Sequence, residues 1–410
     1  MNSRNRPETR SSVAVGCLAY WLERSGHDVV LIEKAPQFRT GGYGVDFWGV
    51  GYTVAERMGI LPEVRAHGYT FREVRDVDQR GRKVGGFSTD SLRQSLMDRF
   101  TSVPRGDLAA AIYRAIGRGV ETLFDNSISA ISERATSVLV SFEHGPARQF
   151  DLVIGADGLH STVRALVFGP ERQFEKPLGY RVATFEVEGY RPRDELIGVT
   201  YTTPGRQVGR FALRGDRTMF AFIFSGEKLT GPEPSNATER KAVLHQVFAD
   251  AGWECPQILH AMNQIDDMYY DRVSQIRMDG WSKGRVMLIG DAAACVSLLA
   301  GEGAGLAMTE AYVLAAELNH AGPDYQAAYR RYEQLMRPFV EGRQELALYF
   351  ASAFVPKTWA GVWLRNQATK LMAFPPLAHY FFVRHMRDDF DLPNYELRGP
   401  QERESQSESI

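Results

Sequence analysis

The stretch DLVIGADGLHSTVR, residues Asp151–Arg164, decides the fold class of this chain. It places a short apolar strand directly before a glycine-containing turn, after which Ser161 and Thr162 begin a helix. Such a turn presents free backbone N–H groups and the positive end of a helix dipole, which favour a bound anion. An ordinary strand–turn–helix in which Asp157 caps the helix explains the same residues. Both interpretations predict an α/β unit.

Two other segments follow the same plan. Val29–Ile32 and Val286–Ile289 are continuous apolar runs; the first is followed by Glu33 and the second by Gly290-Asp291. Runs of this kind suit parallel strands that are buried on both faces. They predict an α/β fold with a parallel sheet.

Between about residues 173 and 279 the pattern changes. The segments there are β-branched and aromatic, with turn signals such as Pro204-Gly205 between them, and they predict an inserted antiparallel sheet. Phe220, Phe222 and Phe224 fall on one face of a strand. These three side chains either wall an apolar pocket or fill the core.

The composition narrows the possible partners. The chain has 410 residues, of which 44% are hydrophobic and 24% charged, and its net charge is −2. So small an imbalance gives no reason to expect nucleic acid or an acidic membrane as a partner. Cys17, Cys255 and Cys295 are far apart without metal-ligand spacing, which predicts no metal site and a reduced, cytoplasmic protein.

The C-terminal part is helical in pattern from about Pro323 to His385, with leucine and aromatic residues at helical spacing. Its most apolar segment, Leu346–Val383, is interrupted by charged residues and prolines, and it is too broken for a membrane span of roughly 20 apolar residues. We interpret it as a pair of core-packing helices and do not expect membrane contact.

The segment Gly284–Leu318 carries the second strong signal. Asp291 at the carboxyl end of a strand can accept hydrogen bonds from sugar-like hydroxyls, and the glycines of Gly301–Gly305 let the backbone approach a flat ring. The helix that begins there would favour negative charge developing on that ring. A flexible loop before a capped helix is the alternative, but it leaves the glycine density unexplained.

These motifs resemble those of a known family. The matching residues are Gly155-Ala156-Asp157-Gly158 with Ser161, Val163 and Arg164, then Gly290-Asp291-Ala292-Ala293, with support from Arg39–Gly49 and Pro104–Leu108. The chain resembles the single-component FAD-dependent aromatic monooxygenases, more closely the tetracycline-inactivating branch than the para-hydroxybenzoate hydroxylases. The resemblance extends from about Leu18 to Tyr395.

The resemblance implies a domain organisation. A Rossmann-like FAD-binding domain with a parallel sheet would comprise residues 11–70, 100–172 and 280–322. A substrate domain with the inserted antiparallel sheet would comprise residues 71–99 and 173–279. C-terminal helices would occupy residues 323–396, while residues 1–10 and 399–410 are expected to be disordered.

The resemblance also implies cofactor contacts. Glu33 would bind the ribose of the FAD adenosine, and Asp46 would lie in a loop against the cofactor. Arg105 would contact the flavin side of FAD, Asp291 the ribityl chain, and Ala304 would lie beside the flavin.

Four further positions complete the predicted cofactor site. Gly301 and Gly303 belong to the loop beside the ring, Asp157 to the first motif, and Arg39 matches a position used for NADPH. Simpler alternatives exist for the charged residues, because Arg39 and Arg105 could form surface ion pairs and Glu33 could simply end a strand.

The implied function is that of an FAD-dependent monooxygenase. It would use NADPH and O₂ to hydroxylate an aromatic or polycyclic, phenolic or polyketide-like molecule through a flavin hydroperoxide. The cofactor carries the difficult chemistry, so no catalytic side chain is assigned. The protein would be either a monomer or a homodimer. A flavin-dependent reductase or dehydrogenase without oxygen insertion, and a flavin-free relic, remain as alternatives.

The N-terminal region departs from the family pattern. The three glycines of its G-x-G-x-x-G fingerprint would fall on Arg10, Ser12 and Val15, none of which is glycine. Met1–Arg10 is also a poor first strand, because it is almost entirely polar. We expect a wrongly assigned start or splicing error, while replacement by another segment and impaired FAD binding are the other two explanations.

Overall fold

The computed structural model describes residues 13–37, 44–266, 268–374, 376–380 and 390–395. Arg39, Arg10, Ser12 and the termini predicted to be disordered lie outside these ranges. The helices are α1 (Val13–Arg24), α2 (Gly49–Arg57), α3 (Leu61–His67), α4 (Asp90–Ser95), α5 (Arg105–Ala115), α6 (Thr162–Val167), α7 (Ala237–Phe248), α8 (Cys255–Met262), α9 (Asp291–Ala294), α10 (Gly303–Ala321), α11 (Tyr325–Phe354) and α12 (Trp359–Leu371). The strands are β1 (Val30–Ile32), β2 (Gly44–Trp48), β3 (Glu73–Val77), β4 (Lys83–Ser88), β5 (Phe100–Pro104), β6 (Glu121–Leu123), β7 (Ile128–Glu133), β8 (Val138–Phe142), β9 (Arg148–Phe150), β10 (Val153–Gly155), β11 (Glu175–Glu188), β12 (Ile197–Thr203), β13 (Arg206–Ala212), β14 (Arg217–Ser225), β15 (Tyr269–Ile276), β16 (Ser282–Lys283) and β17 (Val286–Leu288).

The α/β half contains the predicted parallel strands. β1 pairs in parallel with β6, and β10 pairs in parallel with β17, whose other edge holds β16. Helix α1 packs against α5 and α10. Every residue of α10 from Ala304 to Leu318 is buried, as expected for a helix that is mostly apolar, with Thr309, Glu310 and Glu317 as its buried polar residues. This helix is therefore the centre of the larger hydrophobic core.

The second half is a seven-stranded sheet in the order β15-β11-β14-β13-β12-β3-β4. All its neighbours are antiparallel except β12 and β3, which run parallel. The early strands β3 and β4 thus join a sheet formed mainly by residues 175–276. The inserted antiparallel sheet predicted from the sequence is confirmed.

The two faces of β14 have different environments. Phe220, Phe222 and Phe224 are fully buried and pack in a second core beneath α7 and α8, with Phe248 against two of these rings. Of the two roles considered for these phenylalanines, core filling is the one observed. The intervening residues of the strand point to the opposite face.

The C-terminal helices pack differently from each other. Helix α11 lies along α10, whereas α12 rests on the sheet edge at β4. Trp359, Trp363, Leu364 and Leu371 of α12 are exposed. The expectation that this segment would form core-packing helices is therefore wrong for α12, because its inner face is occupied by polar groups instead.

The fold class is confirmed: an α/β FAD-binding type of architecture with parallel strands, an antiparallel sheet and C-terminal helices. Among the described residues no helix combines the length and apolar character needed to cross a membrane. The same residues contain no cluster of three or more side chains suited to hold a metal ion.

Candidate active site

A cavity of about 310 Å³ lies between the α/β half and the seven-stranded sheet. This volume falls in the size range of small-molecule sites. Six of the residues predicted to contact the cofactor line it: Asp46, Arg105, Asp291, Gly301, Gly303 and Ala304. The tertiary structure therefore brings together residues that are more than 250 positions apart in the chain.

The loop Gly301–Gly305 lines the cavity with two glycines, Gly301 and Gly303, which have no side chain to fill the space beside the backbone. Gly301 has a φ of +71°, in the left-handed region that favours glycine, and a Cβ there would come within 3.7 Å of the Trp48 ring. A Cβ on Gly303 would meet nothing nearer than the Asp291 Oδ1 at 3.9 Å. A flat ring can therefore approach this backbone closely, and α10 begins at Gly303 with its positive dipole end beside it.

Asp291 begins the short helix α9 directly after Gly290, whose φ of +61° turns the chain at the end of β17. The Gly290 N–H donates to the carboxyl group of Glu310, a buried residue of α10. Burial raises the pKa of Glu310 to about 8. The carboxyl group thus supports the turn that positions Asp291.

Glu310 was not found by sequence reasoning. The signal available in the sequence was two acids, Glu310 and Glu317, within the long apolar run of α10, and an acid in such a helix does not reveal its partner.

Arg164 joins the two glycine motifs. Its guanidinium is fully buried and donates to the backbone oxygens of Leu159 at 2.6 Å and Ala292 at 2.9 Å. It also pairs with Glu171 at 3.0 Å. Burial lowers the pKa of Arg164. The turn after β10 and the start of α9 are therefore held together by one side chain.

Asp157 caps α6. Its carboxylate accepts the N–H groups of Thr162 at 2.6 Å and Val163 at 3.0 Å, together with the Ser161 hydroxyl. The Ser161 oxygen accepts the Arg164 N–H at 2.9 Å. The backbone N–H groups of Thr162, Val163 and Arg164, which could have bound an anion, therefore donate to Asp157 and Ser161 instead. This is the interpretation in which Asp157 caps the helix. A cofactor contact of Asp157 stays a prediction.

Asp46 faces the cavity from β2, where it lies opposite Ser102 of β5. The Ser102 hydroxyl donates to its carboxylate. The Asp46 side chain is exposed toward the cavity, and the loss of water around it in this recess raises its pKa more than the hydrogen bond from Ser102 lowers it. A proton or hydrogen-bond donor in the cavity would be favoured beside it.

Glu33 and Arg105, both predicted to contact FAD, differ in their position relative to the cavity. Glu33 follows β1 and accepts the Ala35 N–H at 2.9 Å, so its carboxylate takes part in ending the strand. It does not line the cavity. Arg105 is the first residue of α5 and does line it. The proposed FAD contacts of both residues, and that of Arg39, stay predictions.

The opposite wall of the cavity comes from the seven-stranded sheet. Met219, Ala221 and Ile223, the residues that alternate with the buried phenylalanines, line it. Val182, Phe71 and Phe211 extend this apolar wall. The sequence alone left open which face of β14 lines a pocket, because period-two alternation does not say which face meets the core.

A charged cluster lies beside the cavity. Arg272 lines the cavity and pairs with Glu175 at 3.2 Å, and His160 contacts Glu171 at 3.0 Å and Asp271 at 3.2 Å. Hydrogen bonds to Asp271 and Glu171 raise the pKa of His160 to about 10. The histidine is therefore a cation at neutral pH and serves the ion-pair network rather than proton transfer.

Comparison with known proteins agrees with this geometry. A family model described as an FAD binding domain matches residues 15–342, most of the chain. The chain belongs to this FAD-binding family.

Within this family, a flavin-dependent monooxygenase from an unknown prokaryotic organism is 35% identical over 347 residues, covering 84% of this chain and 88% of its own. A flavin-dependent monooxygenase of Legionella longbeachae is 30% identical over 400 residues, covering 94% and 97%. The crystal structure of the tetracycline destructase Tet(55) matches with a TM-score of 0.80 at 28% identity, covering 94% of this chain and 97% of that one. This chain is accordingly a flavin-dependent monooxygenase.

Proposed function

We propose that this flavin-dependent monooxygenase uses NADPH and O₂ to hydroxylate an aromatic or polycyclic small molecule. One observation carries the proposal: the cavity has a polar wall of predicted cofactor residues and, facing it, an apolar wall from the sheet. A flat apolar substrate between the two walls would lie against the ring. When bound, the flavin supplies electron transfer to O₂ and delivery of one oxygen atom.

The residues around the ring would bind and stabilise it. The backbone at Gly301 and Gly303 would contact the ring, and Asp291 would accept hydrogen bonds from the ribityl hydroxyls. The N-terminus of α10 would stabilise negative charge on the reduced ring. Glu33 and Arg105 would contact other parts of FAD, and Ala304 would lie at the ring edge.

The apolar wall would bind the substrate and exclude water. Met219, Ala221 and Ile223 offer no hydrogen bonds, so orientation depends on shape and on the few polar groups present. Thr184 and Tyr269 are two of these, and both line the cavity. Exclusion of water favours transfer of oxygen to the substrate over release of hydrogen peroxide.

NADPH as the reductant rests on the resemblance at Arg39. We expect Arg39→Ala to raise the KM for NADPH several-fold and to change the KM for NADH less, because the arginine would pair with the extra phosphate. Equal effects on both coenzymes would contradict the assignment of NADPH.

The decisive test combines three measurements on purified protein. FAD content is measured first; then NADPH and O₂ consumption are followed with a panel of phenols and polyketides, and products are analysed by mass spectrometry. We expect substrate-stimulated consumption of both reagents and a product heavier by one oxygen atom. Turnover that persists without O₂ would show a reductase or dehydrogenase, and a colourless protein that FAD does not restore would show a flavin-free relic.

A further inference from the structure

Strand β2 has one face on the core and one face on the cavity. Val45 and Phe47 are buried in the larger core, whereas Gly44 and Asp46 are exposed and line the cavity. A Cβ on Gly44 would lie 3.8 Å from the Cε of Met219, which belongs to the apolar wall. The side chain of Asp46 therefore projects from the face of β2 that lies opposite the apolar wall.

The carboxylate of Asp46 uses only one of its two oxygens within the protein. Its Oδ1 accepts the Ser102 hydroxyl, and among the residues that the structure describes Oδ2 has no hydrogen-bond donor and Asp46 forms no ion pair. Ser102 is fixed in turn, because its N–H donates to the Tyr69 carbonyl at 3.0 Å and its own carbonyl accepts the Tyr69 N–H at 2.6 Å. The second carboxylate oxygen is thus held in place and is accessible from the cavity.

Other titratable groups face the same space from four elements of the fold. They are Arg105 of α5, Asp291 of α9, Glu302 directly before α10, and Tyr269 and Arg272 of β15. Glu302 pairs with Arg343 at 3.2 Å, and Arg272 pairs with Glu175 at 3.2 Å. Both of these charges are therefore compensated by a partner other than Asp46.

Arg272 also belongs to the far end of the apolar wall. Its neighbour in β11 is Arg181, whereas Met219 lies opposite Glu186 of the same strand. Five residues of an extended strand span roughly 17 Å. The arginine is thus remote from the Met219 end of the wall, where Asp46 lies.

A carboxylate oxygen in this position favours a hydrogen-bond donor on the molecule that occupies the cavity. An acceptor removed from water loses free energy unless a donor replaces the water. Met219 and Ala221, on the wall across from β2, offer nothing that would solvate an ammonium group. A neutral hydroxyl group on a flat apolar molecule satisfies both walls.

We infer that Asp46 accepts a hydrogen bond from a hydroxyl group of the substrate, which is therefore a phenol or an enol. The inference rests on the proposed function and assigns a substrate class to it. Asp46 would then be a catalytic residue, because its Oδ2 contacts the group that activates the carbon to be hydroxylated. Its raised pKa makes the carboxylate a better proton acceptor than an ordinary aspartate.

The proton balance of the reaction follows from this contact. The substrate O–H bond breaks, its proton moves to Asp46, and its electron pair increases the electron density at the neighbouring carbon, where the new C–O bond forms. The oxygen atom comes from O₂, with the electrons supplied by NADPH through the flavin. The hydrogen displaced from carbon leaves as a proton, which the second oxygen atom takes up on its way to water. Asp46 then returns its proton to the first substrate oxygen.

The test measures binding separately from turnover. 2-Naphthol and 2-hydroxyanthraquinone are compared with their methyl ethers by titration of the full-length, FAD-loaded protein without NADPH. Asp46→Asn keeps the size of the side chain and an acceptor for Ser102. We expect it to weaken binding of both hydroxyl compounds about tenfold or more, because a hydrogen bond to a charged acceptor is lost, and to leave binding of the ethers unchanged.

The dependence of binding on pH is a second readout. Binding of 2-naphthol should weaken as the pH falls through the pKa of Asp46, because a protonated carboxyl group is no longer a charged acceptor. Asp46→Asn should abolish this dependence, since the other groups that face the cavity remain. Asp151→Asn alters an exposed carboxylate that does not line the cavity, and it should behave as the unaltered protein does. Circular dichroism and FAD content establish that each variant is folded and loaded.

Three results would count against the inference in distinguishable ways. Equal binding of the hydroxyl compounds to Asp46→Asn and to the unaltered protein would overturn it, and so would ethers that bind the unaltered protein as tightly as their parent compounds. Loss of FAD from Asp46→Asn without a selective effect on the hydroxyl compounds would assign Asp46 to the cofactor instead. Failure of the unaltered protein to bind any of the four compounds would contradict the aromatic substrate of the proposed function itself.

Discussion

Glu310 illustrates how a single buried residue can support the cofactor site. Its carboxyl group accepts the Gly290 N–H beneath Asp291, and its pKa is raised to about 8. A carboxyl whose pKa is higher in the folded state binds more protons there than in the unfolded chain. Its contribution to stability is therefore fully present below its unfolded pKa of roughly 4.3 and is lost as the pH rises through about 8.

Replacing Glu310 by glutamine should flatten this dependence. Glu310→Gln keeps an oxygen acceptor for Gly290 but removes the titration, so the free energy of unfolding should fall less between pH 5 and pH 9 than in the unaltered protein. Urea denaturation across this pH range measures the effect. Glu188→Gln, which alters an exposed carboxylate, is the control and should leave the dependence unchanged.

Arg164 is the second residue-scale determinant. Arg164→Met leaves the carbonyl groups of Leu159 and Ala292 without their donor and should lower the free energy of unfolding by about 2–4 kcal/mol. FAD affinity should fall as well, because α9 and the turn after β10 lose their link. Arg164→Lys should not restore affinity, since an ammonium cannot reproduce the planar guanidinium contacts. An unchanged dissociation constant for FAD would contradict this role, and the exposed Arg172→Met serves as the control.

At the scale of elements, helices α2 and α10 meet through glycine. A Cβ on Gly51 would lie 2.3 Å from the Cα of Gly305, closer than any real contact allows. Gly51→Ala should therefore separate the two helices, lower the free energy of unfolding by about 1–3 kcal/mol and weaken FAD binding at the start of α10. Gly342→Ala on α11 meets open space and should be neutral or slightly stabilising. Thermal and urea denaturation of the two variants provide the comparison.

The start of α10 also carries an unusual charge pair. Glu302 precedes the helix beside the cavity loop and pairs with Arg343 of α11 at 3.2 Å, with both side chains largely buried. A carboxylate there opposes the stabilisation of a negatively charged ring by the helix dipole. Glu302→Gln should raise the midpoint potential of bound FAD, and Arg343→Gln should lower it. Spectroscopic redox titration measures both; shifts of the same sign would contradict an electrostatic origin.

At the scale of the whole molecule, the two walls of the cavity have separable roles. Ala221→Phe narrows the cavity from the sheet side and should raise the KM for larger polycyclic substrates at least severalfold, while FAD content stays unchanged. Phe222→Leu on the opposite face should lower the free energy of unfolding by about 1–2 kcal/mol without altering substrate preference. Loss of FAD in Ala221→Phe would show that the sheet wall also contacts the cofactor.

The sequence by itself determined the fold class and the family, because both can be recognised from motifs of contiguous residues. Val286–Ile289 before Gly290-Asp291, and the glycines of Gly301–Gly305 before α10, are contiguous patterns whose backbone requirements can be derived without knowing the neighbours. Asp46 and Ala304 are far apart in the sequence, and only the family resemblance predicted that both lie in one site. In the structure both residues line the same cavity.

Only the tertiary structure decided which faces meet the core and which polar groups meet each other. Alternation along β14 placed the phenylalanines together but did not reveal that α7 and α8 cover them. The same holds for three polar contacts between residues that are far apart in the sequence: Gly290 with Glu310, Arg164 with Ala292, and Asp76 with Arg365. The sequence around each of these residues does not indicate its partner. The burial of a side chain and its polar partners depend on the helices and strands that pack against it. The residues next to it in the sequence do not specify those elements.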